Sequence, residues 1–116
     1  MLNINHDILN SVVATALAAV QGDKRWTNAI KNAHALLVEN PYIHALDDHT
    51  LLIGSENGVY EANGVCSCMA YMKNKKPCKH RAAARLWKRY NEAIERQRVI
   101  LAQAQAQALI DELFDK

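Results

Sequence analysis

Along the first forty residues apolar positions recur at intervals of three and four, the repeat of a helix with one buried face. Leu9, Val13, Ala16, Leu17 and Val20 make one such stripe over residues 7–21, with Asn5 or Asp7 placed to cap its start and Gly22 its end. Trp26, Ile30, Ala33 and Leu37 make a second over residues 24–39, opened by Asp23 as N-cap and stopped by Asn40-Pro41. The connection is short, so the two helices are expected as antiparallel neighbours in a hairpin over residues 1–41.

The repeat then changes. Tyr42–Leu46, Thr50–Gly54 and Gly58–Ala62 are short β-like runs separated by the polar turns Asp47-Asp48-His49 and Glu56-Asn57-Gly58. They predict a small antiparallel meander, with Asn57-Gly58 and Asn63-Gly64 as hairpin signals. From Cys78 to Phe114 there is no Gly or Pro, and strong helix formers dominate. One helix of that length spans ~55 Å, more than a domain of this size is wide. Its second half carries two apolar stripes, Ile94–Leu101–Ala108 and Val99–Ala102–Ala106–Leu109–Leu113. The expectation is a break near Arg98, with the last segment folding back on residues 7–39. A homodimer formed through this helix is the alternative.

The predicted class is α+β in a single domain, residues 1–116. A helical hairpin is followed by a meander with a metal module over residues 42–90 and a helical extension over 91–116. A chain of 116 residues buries little surface, so a metal staple is physically useful. No apolar run approaches bilayer length, which excludes a membrane partner at this level. The start, Met1 to Asp7, lacks a basic segment and an apolar core, so a cytoplasmic, reducing location is expected.

That setting bears on the cysteines. All three, Cys66, Cys68 and Cys78, lie with His80 in the fifteen residues from Cys66 to His80. Three thiolates and an imidazole complete a closed tetrahedral set, the chemistry of a structural zinc site. Cys66 and Cys68 follow the bend at Asn63-Gly64; Cys78 and His80 follow Pro77, at the start of the helical run. One ion would thus clamp a turn to a helix start, turning binding energy into folding energy. Buried free thiols, or a disulfide with a spare thiol, leave the spacing of His80 unexplained.

The pattern CxC, nine residues, CxH, preceded by Val59-Tyr60 and Asn63-Gly64 and followed by Arg81 to Leu86, resembles the SWIM zinc finger over roughly residues 43–90. The likeness is to the small standalone prokaryotic or phage members. It implies a short sheet and a helix around one zinc held by Cys66, Cys68, Cys78 and His80. It also implies binding of DNA or protein, in transactions such as transposition, recombination or regulation.

Charge sharpens the picture. The net value of +2 conceals a split: residues 1–62 carry three basic side chains against seven acids, whereas residues 63–98 carry ten against two. Lys73, Lys75, Lys76, Lys79, Arg81, Arg85, Lys88 and Arg89 form the dense part. On a helix Arg81, Arg85, Lys88 and Arg89 share one face, suited to phosphate contacts. A protein partner, or a solvated face met partly by the acids of residues 1–62, is the competing reading. Tyr71 is placed either to stack on a base or to pack over the metal, and Trp87 reads as core. Paired catalytic carboxylates, a phosphate-cradling glycine loop and an open metal site do not appear, so no enzyme is predicted. His6, His34, His44 and His49 are scattered singly, and Asp47-Asp48-His49 reads as a polar turn.

Overall fold

The computed structural model describes residues 2–55, 58–62 and 78–114. Helix α1 spans His6–Ala19 and helix α2 Lys24–Glu39. Strands β1 (Ile43–Ala45), β2 (Leu51–Ser55) and β3 (Gly58–Ala62) follow, and helix α3 runs from Lys79 to Phe114. The class is α+β, as the pattern of periods predicts.

Each helix begins where a side chain can satisfy its open amides. The Asn5 side chain accepts a hydrogen bond from the Ile8 amide at 3.3 Å. Asp23 accepts from Arg25 and Trp26 at 3.0 and 3.3 Å. Helix α1 stops at Ala19, two residues before the expected end, and Gly22 turns the chain with a φ of +90° that other residues adopt at a cost. Asn40 ends α2 and its side chain ties it to the sheet: Oδ1 accepts from the Tyr42 amide at 2.8 Å and Nδ2 donates to the Gly54 carbonyl at 3.1 Å.

The sheet is antiparallel in the order β1-β2-β3. Its register aligns Ile43 with Ile53 and Tyr60, and Ala45 with Leu51 and Ala62. Strand alternation therefore sends Ile43, Leu51, Ile53 and Ala62 to one buried face, while His44, Val59 and Glu61 are exposed. That face meets Leu9 of α1, Leu37 of α2 and the Ala82, Ala83, Leu86 side of α3 in one core. The alanines of α3 let the other elements approach its backbone, and α3 packs on both α1 and α2. Trp87 and Tyr90 stack with centroids 5.4 Å apart. The Trp87 indole donates to the Asp47 carbonyl at 2.9 Å, and the Tyr90 hydroxyl accepts from the Asn5 amide at 2.9 Å. Trp87 is core, as expected.

Gly54 lies tightly against Tyr42, the residue that precedes β1. A methyl group there would lie 2.9 Å from Tyr42 Cβ and 3.1 Å from the Tyr42 carbonyl oxygen, and the Gly54 amide already donates to that oxygen at 3.0 Å. Gly54→Ala is expected to cost ~1–3 kcal/mol through this overpacking, read as a lower midpoint in thermal or urea unfolding. An unchanged midpoint would contradict the packing.

The extension departs from expectation. Helix α3 continues through Arg98 without a break and stands away from the body, giving principal extents of 68 × 31 × 21 Å. All residues from Glu95 to Phe114 are exposed, including Val99, Leu101, Leu109 and Leu113 of the two apolar stripes. The physical reason is local: a run of helix formers without Gly or Pro offers no place to turn back. No helix among the described residues is long and apolar enough to cross a membrane.

Candidate metal centre and basic surface

Two of the four expected ligands are described, and both are inside. Cys78 is 4% exposed and His80 6%, at the point where α3 begins. Cys78 occupies the cap position of the helix. Its Sγ accepts a hydrogen bond from the Arg81 amide at 3.3 Å, and its carbonyl accepts the first helical bond, from Ala82, at 3.0 Å. Open amides and the positive end of the helix face this sulfur, and a thiolate is the form that binds metals.

His80 sits one residue inside the helix, with its ring stacked on Tyr60 of β3 at 4.8 Å and 23°. Burial, and then the nearby charge of Lys79, lowers its pKa below the usual histidine value. The imidazole is therefore held neutral, which is again the ligating form. The strand that leads toward Cys66 and the helix that carries Cys78 and His80 meet at this stack. Ala62, the last residue of β3, is buried, as is Cys78 just before α3.

Cys66, Cys68, Tyr71, Lys73, Lys75, Lys76 and the Asn63-Gly64 turn lie outside the described residues. Among the described residues no group of three or more His, Cys, Asp and Glu side chains comes together. The two of these residues that are described have the chemistry zinc takes: a buried sulfur with an amide donor, and a buried neutral imidazole.

The basic residues of α3 emerge on the side opposite the core. Lys79, Arg85, Lys88 and Arg89 are exposed and Arg81 is half-buried. Arg81, Arg85, Lys88 and Arg89 thus share one face of α3, while Lys79 lines a cleft between α2 and the sheet instead. Some of its charge is met within the chain. Arg89 pairs with Glu92 at 3.0 Å, and Lys88 lines an open cleft with Asp48, Glu92 and Glu95. Both members of the Arg89–Glu92 pair are substantially exposed, and such pairs contribute little to stability. The Asp47 carboxyl takes the His49 amide at 2.9 Å, which holds it below the usual carboxylate range.

Comparisons with protein-family models, curated proteins and solved structures found no match. The chemistry therefore rests on the residues themselves.

Two features escaped the sequence reading. The Arg85 guanidinium lies 5.2 Å from the centre of the Trp26 ring, a cation–π contact that brings the basic strip beside the start of α2. Lys24 and Arg25, exposed at that start, extend positive charge onto a part of the chain whose overall sign is acidic. The Tyr60–His80 stack is the second. Both join residues far apart in sequence, and no local pattern marks them.

Proposed function

We propose that this protein is a zinc-dependent nucleic-acid-binding module. Cys66, Cys68, Cys78 and His80 hold one structural zinc; Lys79, Arg81, Arg85, Lys88 and Arg89, with Lys73, Lys75 and Lys76, contact phosphates. When bound, the ion supplies a fixed joint between the chain after β3 and the first turn of α3. Four protein ligands leave no position for water, so the proposed role is binding rather than catalysis. The observation that carries the reading is the shared origin of two features. Buried Cys78 and His80 stand at the helix start from which the exposed basic strip runs.

Within this reading the chain's own residues divide the work. Cys78 and His80 set the position and direction of the helix, Tyr60 holds the His80 ring, and Trp26 steadies Arg85. Lysine and arginine reaching phosphates fix position without reading sequence, so binding is expected to be largely sequence-tolerant. DNA is favoured through the resemblance to SWIM fingers, with a reducing, intracellular setting that keeps the thiolates available.

The test is titration of the zinc-loaded chain against labelled single-stranded DNA, duplex DNA and RNA at two salt concentrations. Binding that weakens as salt rises is expected, because counterions are released from the phosphates. No binding at low salt, with zinc present and the chain folded, would overturn the reading.

The exposed apolar residues of α3 favour a second reading, a protein-interaction adaptor in which zinc serves only the fold. Under it the same titration is flat, while removal of zinc still lowers the melting temperature.

A further inference from the structure

The part of α3 beyond Glu95 is an exposed arm, bordered near Arg96, Gln97 and Ile100 by a cleft against α1, yet it is not a polar arm. Val99, Ile100, Leu101, Leu109, Ile110, Leu113 and Phe114 are each between 45% and 78% exposed. A long helix with this much uncovered apolar surface marks an interaction site. The spacing says what kind. Val99, Ala102, Ala106, Leu109 and Leu113 are separated by three, four, three and four residues, the seam of a two-stranded coiled coil.

Charge beside the seam selects the occupant and its direction. Arg98, Gln105 and Glu112 stand seven residues apart, each immediately before a seam position. In a pair of these arms running antiparallel about Ala104, Val99 packs on the partner's Leu109, and Ala102 on the partner's Ala106. Both contacts are repeated by symmetry. The same alignment sets Arg98 beside the partner's Glu112 at both ends and Gln105 beside the partner's Gln105. A parallel pair would set Arg98 beside the partner's Gln103 and Gln105 beside the partner's Ile110, with no ion pair. A two-fold axis through the arms closes the assembly, as isologous contacts do.

We propose that α3 dimerises the protein as an antiparallel coiled coil through residues 95–114, with Arg98 and Glu112 setting the direction. The alanines at the centre let the two backbones approach, while Val99 and Leu109 supply the apolar layers on either side. The Arg98–Glu95 pair within one chain, 3.4 Å long and well exposed, is weak enough to yield to the new partner. The two bodies then sit at opposite ends, the starts of their α3 helices ~75 Å apart along the axis. This arrangement is independent of the zinc and nucleic-acid reading.

The test is the mass of the full zinc-loaded chain by light scattering or sedimentation equilibrium. Twice the chain mass of 13.0 kDa is expected. Leu109→Lys is expected to return the chain to single mass with its body's unfolding unchanged, since Leu109 lies far from the core. For direction, Arg98→Glu and Glu112→Arg should each raise the dimer dissociation constant ~10-fold, by placing like charges together at both ends. The double variant should recover most of that loss. Single mass at about 100 µM would overturn the dimer and assign the arm to a different occupant. A dimer indifferent to Leu109→Lys would overturn its location. Single-variant losses that the double variant fails to repair would overturn the antiparallel register.

Discussion

Replacing Cys78 by serine is expected to lower bound zinc sharply and to loosen the fold around the start of α3. Loss of an outer-shell partner of a metal ligand commonly costs ~10–100-fold in affinity, and loss of a ligand itself costs more. When zinc is saturating, each tenfold loss of affinity removes about 1.4 kcal/mol of the stability that binding provides. A hundredfold loss thus removes ~2.7 kcal/mol, a large part of the ~5–15 kcal/mol that keeps a small domain folded.

Serine is a discriminating choice because of where Cys78 sits. The thiol now caps α3 by accepting the Arg81 amide at 3.3 Å, and serine is among the best N-cap residues. A cysteine that served only the cap would therefore be replaced at little cost. Zinc content by metal analysis and the melting temperature are measured together. Both are expected to fall, and the gap in melting temperature between variant and parent should shrink when a chelator is present. Full zinc retention with unchanged melting would refute the ligand assignment.

The second large effect is expected from changing Arg81, Arg85 and Lys88 together to glutamine. Each phosphate neutralised on duplex DNA contributes about 0.9 to the slope of log affinity against log salt. Three lost contacts therefore flatten that slope by about three units and reduce affinity roughly a hundredfold near 0.15 M salt. Stability should change far less. Arg85 gives up its contact with Trp26, worth ~0.5–1 kcal/mol at an exposed site, and none of the three faces the core. Zinc content should be intact. Unchanged affinity and slope in a folded, zinc-loaded triple variant would remove the helical strip from any nucleic-acid contact.

These predictions draw on features that were legible to different degrees in the chain alone. The two N-terminal helices could be read because their information is local: a stripe of apolar residues, Asn5 and Asp23 at their starts, and Asn40-Pro41 at the second end. The meander was legible for the same reason, down to Gly58–Ala62 as one strand, although β1 is shorter than Tyr42–Leu46 and β2 begins at Leu51. The basic face of α3 followed from spacing alone.

What failed was the fate of the arm. Its stripes correctly mark residues that gain from burial, but a stripe does not say what covers it, and α3 continues outward because no residue breaks it. The contacts that organise the site were equally out of reach. The stack of Tyr60 on His80, the seat of Arg85 on Trp26 and the bond from Asn5 to Tyr90 each join distant segments. Only the packed core decides them. Of the candidate metal centre, Cys78 and His80 are buried at the start of α3, while Cys66 and Cys68 belong to the stretch outside the described residues.

The measurement that bears most directly on zinc-dependent binding is fluorescence anisotropy of a labelled duplex held by the zinc-loaded protein at low salt, followed through chelation and return of zinc. A bound signal that falls to the free value with chelator and recovers when zinc is restored is expected. A signal unmoved by chelation, with metal analysis confirming that zinc has gone, would contradict it.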